Sequence, residues 1–157
     1  GYFDISKARG AMHQIETFLR EIYYGFSMTD LYIRLGCNLQ LGTPETAGFA
    51  FSVLFTHPAD RKAEISFDAD KNKYEFKFYH MNDKHEWEMV KELSSFGIGR
   101  VIELGIPFSD LEAKIGQHVE FMIVVYKDKQ ELERWPRGGG ITITVPSESY
   151  ELEQWYV

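Results

Sequence analysis

Apolar residues recur at every second position in stretch after stretch of this chain. Phe49, Phe51, Val53 and Phe55 make one such row, and Ile65 with Phe67 begins another. Tyr74, Phe76 and Phe78 follow with Glu75 and Lys77 between them, then Ile102, Leu104 and Ile106 before Pro107. Val119, Phe121, Ile123 and Val125 form the strongest row, and the intervening Met122 and Val124 point to burial on both faces. Ile141, Ile143 and Val145 alternate with Thr142 and Thr144. Successive side chains of a strand point to opposite faces, so this period of two specifies half-buried strands. Polar turn segments such as Asp68-Ala-Asp-Lys-Asn-Lys separate the rows, since Asp and Asn hydrogen-bond their own backbone in turns. The expectation is an all-β fold, an antiparallel β-sandwich of jelly-roll or immunoglobulin-like type. About eight to ten strands and at most one or two short helices are expected.

Two segments carry helical signals. Ser109-Asp-Leu-Glu-Ala-Lys-Ile-Gly has a capping serine, Glu112 three residues on and Gly116 as a stop, which predicts a short helix. Around residues 12–22, Ile15, Phe18, Leu19 and Ile22 sit at helical spacing. Ile22-Tyr-Tyr-Gly-Phe nevertheless reads as a strand end before the turn Ser27-Met-Thr-Asp, with Leu31-Tyr-Ile-Arg-Leu as its hairpin partner. Strand is the favoured reading there. No repeat, low-complexity run or linker divides the chain, so residues 1–157 are expected to form a single sandwich domain.

Size and charge narrow the function classes. A chain of 157 residues can bury one real core. The net charge is -7, with no basic block; a nucleic-acid partner would need a Lys/Arg stripe to displace counterions from phosphate. No apolar run approaches the ~20 residues that span a bilayer, so no membrane partner is expected. Cys37 is the single cysteine, which excludes a disulfide framework and a cysteine-based zinc site and reads as a half-buried thiol. The start at Gly1, without methionine or a leader pattern, reads as a fragment excised from a longer protein. The missing disulfides and leader point to the cytoplasm.

Several chemistries are set aside residue by residue. Asp68, Asp70 and Asn72 match the opening of a calcium loop, but Lys73 replaces its glycine and Tyr79 its closing carboxylate. The five histidines (His13, His57, His80, His85 and His118) share no ligand spacing, so no metal site is expected. Gly138-Gly-Gly lacks the lysine and helix of a phosphate loop. Short sandwich loops leave little room for the paired carboxylates of a glycosidase, and no serine-nucleophile motif is present. The chain is therefore expected to be non-catalytic and without a cofactor.

Aromatic residues are the remaining candidates, at 15% of the chain. If Phe76 and Phe78 face the core, Tyr79 faces out, and Trp87 lies nearby in His85-Glu-Trp-Glu-Met. Sugar rings stack their C–H faces on such side chains while carboxylates accept their hydroxyl protons. Tyr79 and Trp87 are the candidate platforms, with His85, Glu86 and Glu88 as hydrogen-bonding neighbours. Arg134, Trp135, Arg137 and Trp155 form a second aromatic and basic group, read as interface residues; cation–π stacking within the fold is the plainer account of Trp135.

Several blocks resemble a known family. They are Gly10-Ala-Met-His, Ile22-Tyr-Tyr-Gly-Phe, Asp30-Leu-Tyr-Ile-Arg-Leu, Glu103-Leu-Gly-Ile-Pro-Phe-Ser-Asp-Leu and Gly116-Gln-His-Val-Glu-Phe, followed by Glu131-Leu-Glu-Arg-Trp-Pro, Ile141-Thr-Ile-Thr-Val-Pro and Trp155. Together they resemble the C-terminal accessory domain of the α-amylase-like family 57 glycoside hydrolases. The pattern is also similar to family 9 carbohydrate-binding modules and DOMON domains, β-sandwiches that hold sugars or haem on one face. The resemblance implies a non-catalytic module that binds α-glucan or packs against a catalytic barrel lying upstream. It implies no site residue by position. Two alternatives stand beside it: a structural, interdomain or homodimerisation module without ligand, and a DOMON-like haem module using Met12 or His13.

Overall fold

The computed structural model describes residues 1–8 and 17–147. Within them lie twelve strands: β1 (Tyr2–Asp4), β2 (Leu19–Phe26), β3 (Asp30–Cys37), β4 (Phe49–His57), β5 (Arg61–Asp68), β6 (Lys73–Met81), β7 (Trp87–Leu93), β8 (Phe96–Ile98), β9 (Val101–Pro107), β10 (His118–Lys127), β11 (Gln130–Trp135) and β12 (Ile141–Thr144). The five-stranded sheet runs β1-β2-β3-β9-β8, and the seven-stranded sheet runs β11-β10-β4-β5-β6-β7 with β12 also on β10. All pairings are antiparallel. The all-β sandwich expected from the alternation is the fold found. The additional strands include β1 and β8, each of three residues and too short to display a period.

The alternating rows face one core. Ile22, Leu31, Ile33, Leu35, Ile102, Leu104 and Ile106 project from the smaller sheet; Phe51, Val53, Phe55, Ile65, Phe76, Phe78, Phe121, Ile123 and Val125 project from the larger. None is more than 2% exposed, and each such side chain gains about 1.5–3 kcal/mol from leaving water. Rings lock the sheets together: Phe18 stacks on Phe49 at 4.3 Å between centroids, and Tyr24 meets Phe121 edge-on at 6.0 Å. Near the middle of the larger sheet β4 and β10 pair from Phe49–Lys127 to His57–Glu120. The favoured strand reading before Ser27 holds over Leu19–Phe26, while residues 9–16 lie outside the described set.

The helix expected at Ser109–Gly116 is replaced by successive turns. Asp110 N–H donates to Pro107 O and Glu112 N–H to Ser109 O, three residues back rather than four. Glu112 has a φ of 56°, in the left-handed region that a helix cannot contain. Phe108 and Leu111 are buried in the core, and that burial outweighs the weak propensity of an eight-residue helix. The Asp68–Lys73 turn behaves as its residues predict. Asp68 Oδ1 accepts the N–H groups of Asp70 at 2.9 Å and Lys71 at 3.2 Å, and Asn72 adopts a φ of 53°.

The tail corrects one expectation. Trp135 is 1% exposed, so its indole has no face to offer a partner and is a core residue rather than an interface residue. Its Nε1–H donates to Glu133 Oε1 at 3.0 Å, and the Arg137 guanidinium lies 4.7 Å from its ring centroid, the cation–π contact. Arg134 instead pairs with Glu131 at 2.6 Å. Trp155 lies outside the described residues. Glu133 holds more than the indole: its carboxylate also accepts the backbone N–H of Phe18 and, at 3.3 Å, that of Leu19. Gly138–Gly140 loops out between β11 and β12, which pair with consecutive parts of β10. A Cβ on Gly140 would stand 3.0 Å from Phe121 O and 2.6 Å from the Glu120 side chain.

Trp135→Ala is expected to cost about 3–5 kcal/mol in urea unfolding, and Arg137→Ala no more than about 1 kcal/mol. Burial pushes the Cys37 thiol up to about 12. A disulfide exchange reagent at pH 8 should leave it unmodified in the folded protein and modify it rapidly once urea unfolds the chain.

Candidate functional site

The outward face of the seven-stranded sheet is built from the alternate residues of the rows that form the core. Register places them in three lines across the strands. Tyr126, Ala50, Ser66 and Glu75 make the first, Val124, Ser52, Glu64 and Lys77 the second, and Met122, Leu54, Lys62, Tyr79 and Met89 the third. Between them opens a groove of about 630 Å3. Ala50, Glu64 and Ser66 lie along its floor, with Trp87 reaching over from β7 and Tyr126 rising from β10. Asp128 and Lys129, both at positive φ in the β10–β11 turn, close one end. Asp128 N–H donates to Gly48 O at 3.0 Å, and a Cβ on Gly48 would meet Asp128 Oδ1 at 2.2 Å, so a side chain there would have to displace the Asp128 carboxylate.

The charges in the groove are partly committed. Ser52, buried under the sheet surface, donates to Glu64 Oε1 at 2.6 Å, and Lys62 Nζ approaches the same oxygen at 3.5 Å. That ammonium also stands 5.1 Å from the Tyr79 centroid and 4.9 Å from that of Trp87. Lys62 thus joins the two aromatic platforms through one cation, worth about 0.5–1 kcal/mol for each ring. Tyr79 and Tyr126 are held protonated above the ordinary tyrosine range, first by burial and then by the Glu64 carboxylate. The groove therefore offers phenol, hydroxyl and ammonium donors beside carboxylate acceptors, between rings. That set can receive a ligand with an apolar face and a rim of hydroxyl groups.

Of the residues chosen from sequence, Tyr79 and Trp87 come together on this outward face. His85, Glu86 and Glu88 do not join them. Glu88 pairs across the ladder with His80 on the opposite face, where its Oε1 accepts from Asn82 Nδ2 at 2.9 Å. His85 and Glu86 sit at the exposed tip of the turn, His85 with a φ of 60°. Asn82 Oδ1 gathers the N–H groups of Lys84 and Glu86 at 2.9 and 3.0 Å, which folds this tip away from the groove. Sequence reasoning missed Tyr126, Lys62 and Glu64. The alternation that buries Phe121, Ile123 and Val125 also turns Tyr126 outward, so its signal was present. Met12 and His13, named for a haem alternative, lie outside the described residues.

No family model matches the chain, and searches of curated proteins and of solved structures return no match. Among the described residues no group of three or more His, Cys, Asp and Glu could hold a metal ion, and no helix is long and apolar enough to cross a membrane.

Beside the groove, Lys77 at 2.7 Å and Lys71 at 3.0 Å hold the Glu75 carboxyl down to about 2, from 4.5. A depressed folded value contributes stability that is complete above about pH 4.5 and lost as pH falls through about 2. Thermal melts between pH 5 and 2 should therefore fall less steeply for Glu75→Gln than for the unaltered chain. Equal slopes would show that these ion pairs contribute nothing.

Proposed function

We propose that this chain is a non-catalytic carbohydrate-binding domain, the C-terminal accessory module of a family 57-like glycoside hydrolase, and that α-glucan lies in the groove of the seven-stranded sheet. The observation that carries the reading is the placement of Trp87 and Tyr126 on either side of a polar floor on one open sheet face. A pyranose ring presents a C–H face to an aromatic ring and hydroxyl groups around its edge, which Glu64, Ser66 and Asp128 are placed to meet. Lys62 already covers one region of both rings, so a bound sugar takes the remaining ring surface or displaces the ammonium at a cost of about 1–2 kcal/mol. The proposed parent carries its catalytic barrel upstream and works in the cytoplasm, where a single reduced thiol is ordinary.

Affinity electrophoresis in glycogen, starch and amylose tests this. Retardation in at least one, weakened about five- to tenfold by Trp87→Ala and comparably by Tyr126→Ala, is expected. Unchanged mobility in all three would sink it.

A second reading, a dimerisation or interdomain module, is favoured by Met89 and Val90, each 52% exposed on the edge strand β7. Exposed edges invite pairing with another chain. Phe78 pairs with Lys91 and Tyr79 with Met89, which leaves Val90 as the unpaired residue of a bulge that interrupts that edge. Sedimentation equilibrium separates the readings: a dimer dispersed by Val90→Lys would replace the glycan proposal with this one.

A further inference from the structure

The five-stranded sheet also turns an aromatic face outward, independent of the groove above. Register sets Tyr2, Tyr23, Arg34, Glu103 and Gly97 in one line across the strands, with Gly25, Tyr32 and Gly105 in the next. Of these, Tyr23, Arg34, Glu103, Gly97, Gly25 and Tyr32 line a cleft of about 690 Å3. Tyr23 is 42% exposed and Tyr32 46%, where a sheet face meeting only water would ordinarily carry polar residues. Tyr32 has glycine on both sides. Its ring leans toward Gly105, whose added Cβ would stand 3.3 Å from it, while a Cβ on Gly25 or Gly97 would meet nothing within 4 Å. The glycines thus leave the ring uncovered and cut a slot beside it. Tyr23 is backed by Tyr2 at 4.8 Å between centroids, and the Arg34 guanidinium stands 5.9 Å from its ring.

The charged side chains of this cleft hold no ion pair among the described residues. Arg34 and Glu103 face each other across β3 and β9, yet among the described residues neither makes a side-chain hydrogen bond or an ion pair. The hydroxyls of Tyr23 and Tyr32 have no hydrogen-bond partner there either. Of the side chains lining the cleft, one is positive and one negative and the two cancel, while the Gly1 ammonium at its border is taken up by Tyr24 O at 2.5 Å. Two open rings, a forked donor and a carboxylate acceptor in a slot whose side chains carry no net charge match a neutral sugar chain: rings take its C–H faces, Arg34 and Glu103 its hydroxyls.

We propose that this cleft is a second glycan-binding site, for a neutral hexose polymer, on the face opposite the first. The site stands on its own residues; its consequence, that one molecule bridges two polysaccharide chains, rests on the groove reading as well.

Affinity electrophoresis in glycogen on the whole chain tests it, with Gly25→Thr, Tyr32→Ala, Trp87→Ala and the Gly25→Thr/Trp87→Ala double variant. Threonine at position 25 enters open space, suits a strand and fills the slot, so the fold is retained, as a thermal melt would verify. Gly25→Thr and Tyr32→Ala should each weaken binding about five- to tenfold, and the double variant should migrate as if no polysaccharide were present. The unaltered chain should make glycogen solutions turbid, and each single-site variant should not. Loss through Gly25→Thr with no effect of Trp87→Ala supports this site and removes the groove. Loss through Trp87→Ala with no effect of Gly25→Thr or Tyr32→Ala overturns this site and keeps the groove. Absence of retardation in glycogen, or retardation in the anionic polymer alginate alone, overturns it, as does a change of oligomeric state in Tyr32→Ala with its glycogen mobility unaltered.

Discussion

Pairing of β4 with β10 is the contact on which the rest of this molecule depends. The two strands are remote in sequence and lie side by side within the larger sheet. Their inward residues, Phe51, Val53 and Phe55 against Phe121, Ile123 and Val125, supply much of the core. Of their outward residues, Ala50 and Tyr126 supply floor and wall of the groove, and Ser52 holds Glu64 from beneath. A slip of one residue in this register would exchange the two sets, placing Ser52 and Tyr126 in the core and phenylalanines in water. Core and candidate site are therefore specified by one alignment, and neither can be altered without the other.

Much of this was legible from the chain. The period-two rows identified the inward faces of β4, β6, β9, β10 and β12, because burying one face of a strand leaves that mark directly in the residue order. What failed lay where tertiary contacts override local preference. Ser109–Gly116 carries good helix punctuation, but burial of Phe108 and Leu111 and the left-handed Glu112 produce turns instead. Glu88 was read as a neighbour of Trp87, although adjacent strand residues point to opposite faces and the ladder sends Glu88 toward His80. Tyr126, Tyr23 and Tyr32 were all visible as outward members of alternating rows.

The two outer faces differ in how their polar groups are held. In the groove, Glu64 is already engaged by Ser52 and Lys62, and Lys62 by two rings. Such a site is preorganised and gives up existing contacts when it fills. On the smaller sheet, Arg34 and Glu103 are exposed and make no ion pair among the described residues, so ordering them carries the entropic cost of long side chains. Rings on β-strands lose little freedom in either case, since two χ angles define them.

The carboxylate of Glu133 accepts from the amides of Phe18 and Leu19 and from the indole of Trp135. It ties the start of β2 to a strand more than a hundred residues later. As the chain leaves the ribosome from its N-terminal end, Phe18 and Leu19 have no native acceptor until residue 133 has emerged, and β4 waits for β10 in the same way. The fold therefore closes only once its late strands have been made, and its early aromatic strands stay without their native partners until then.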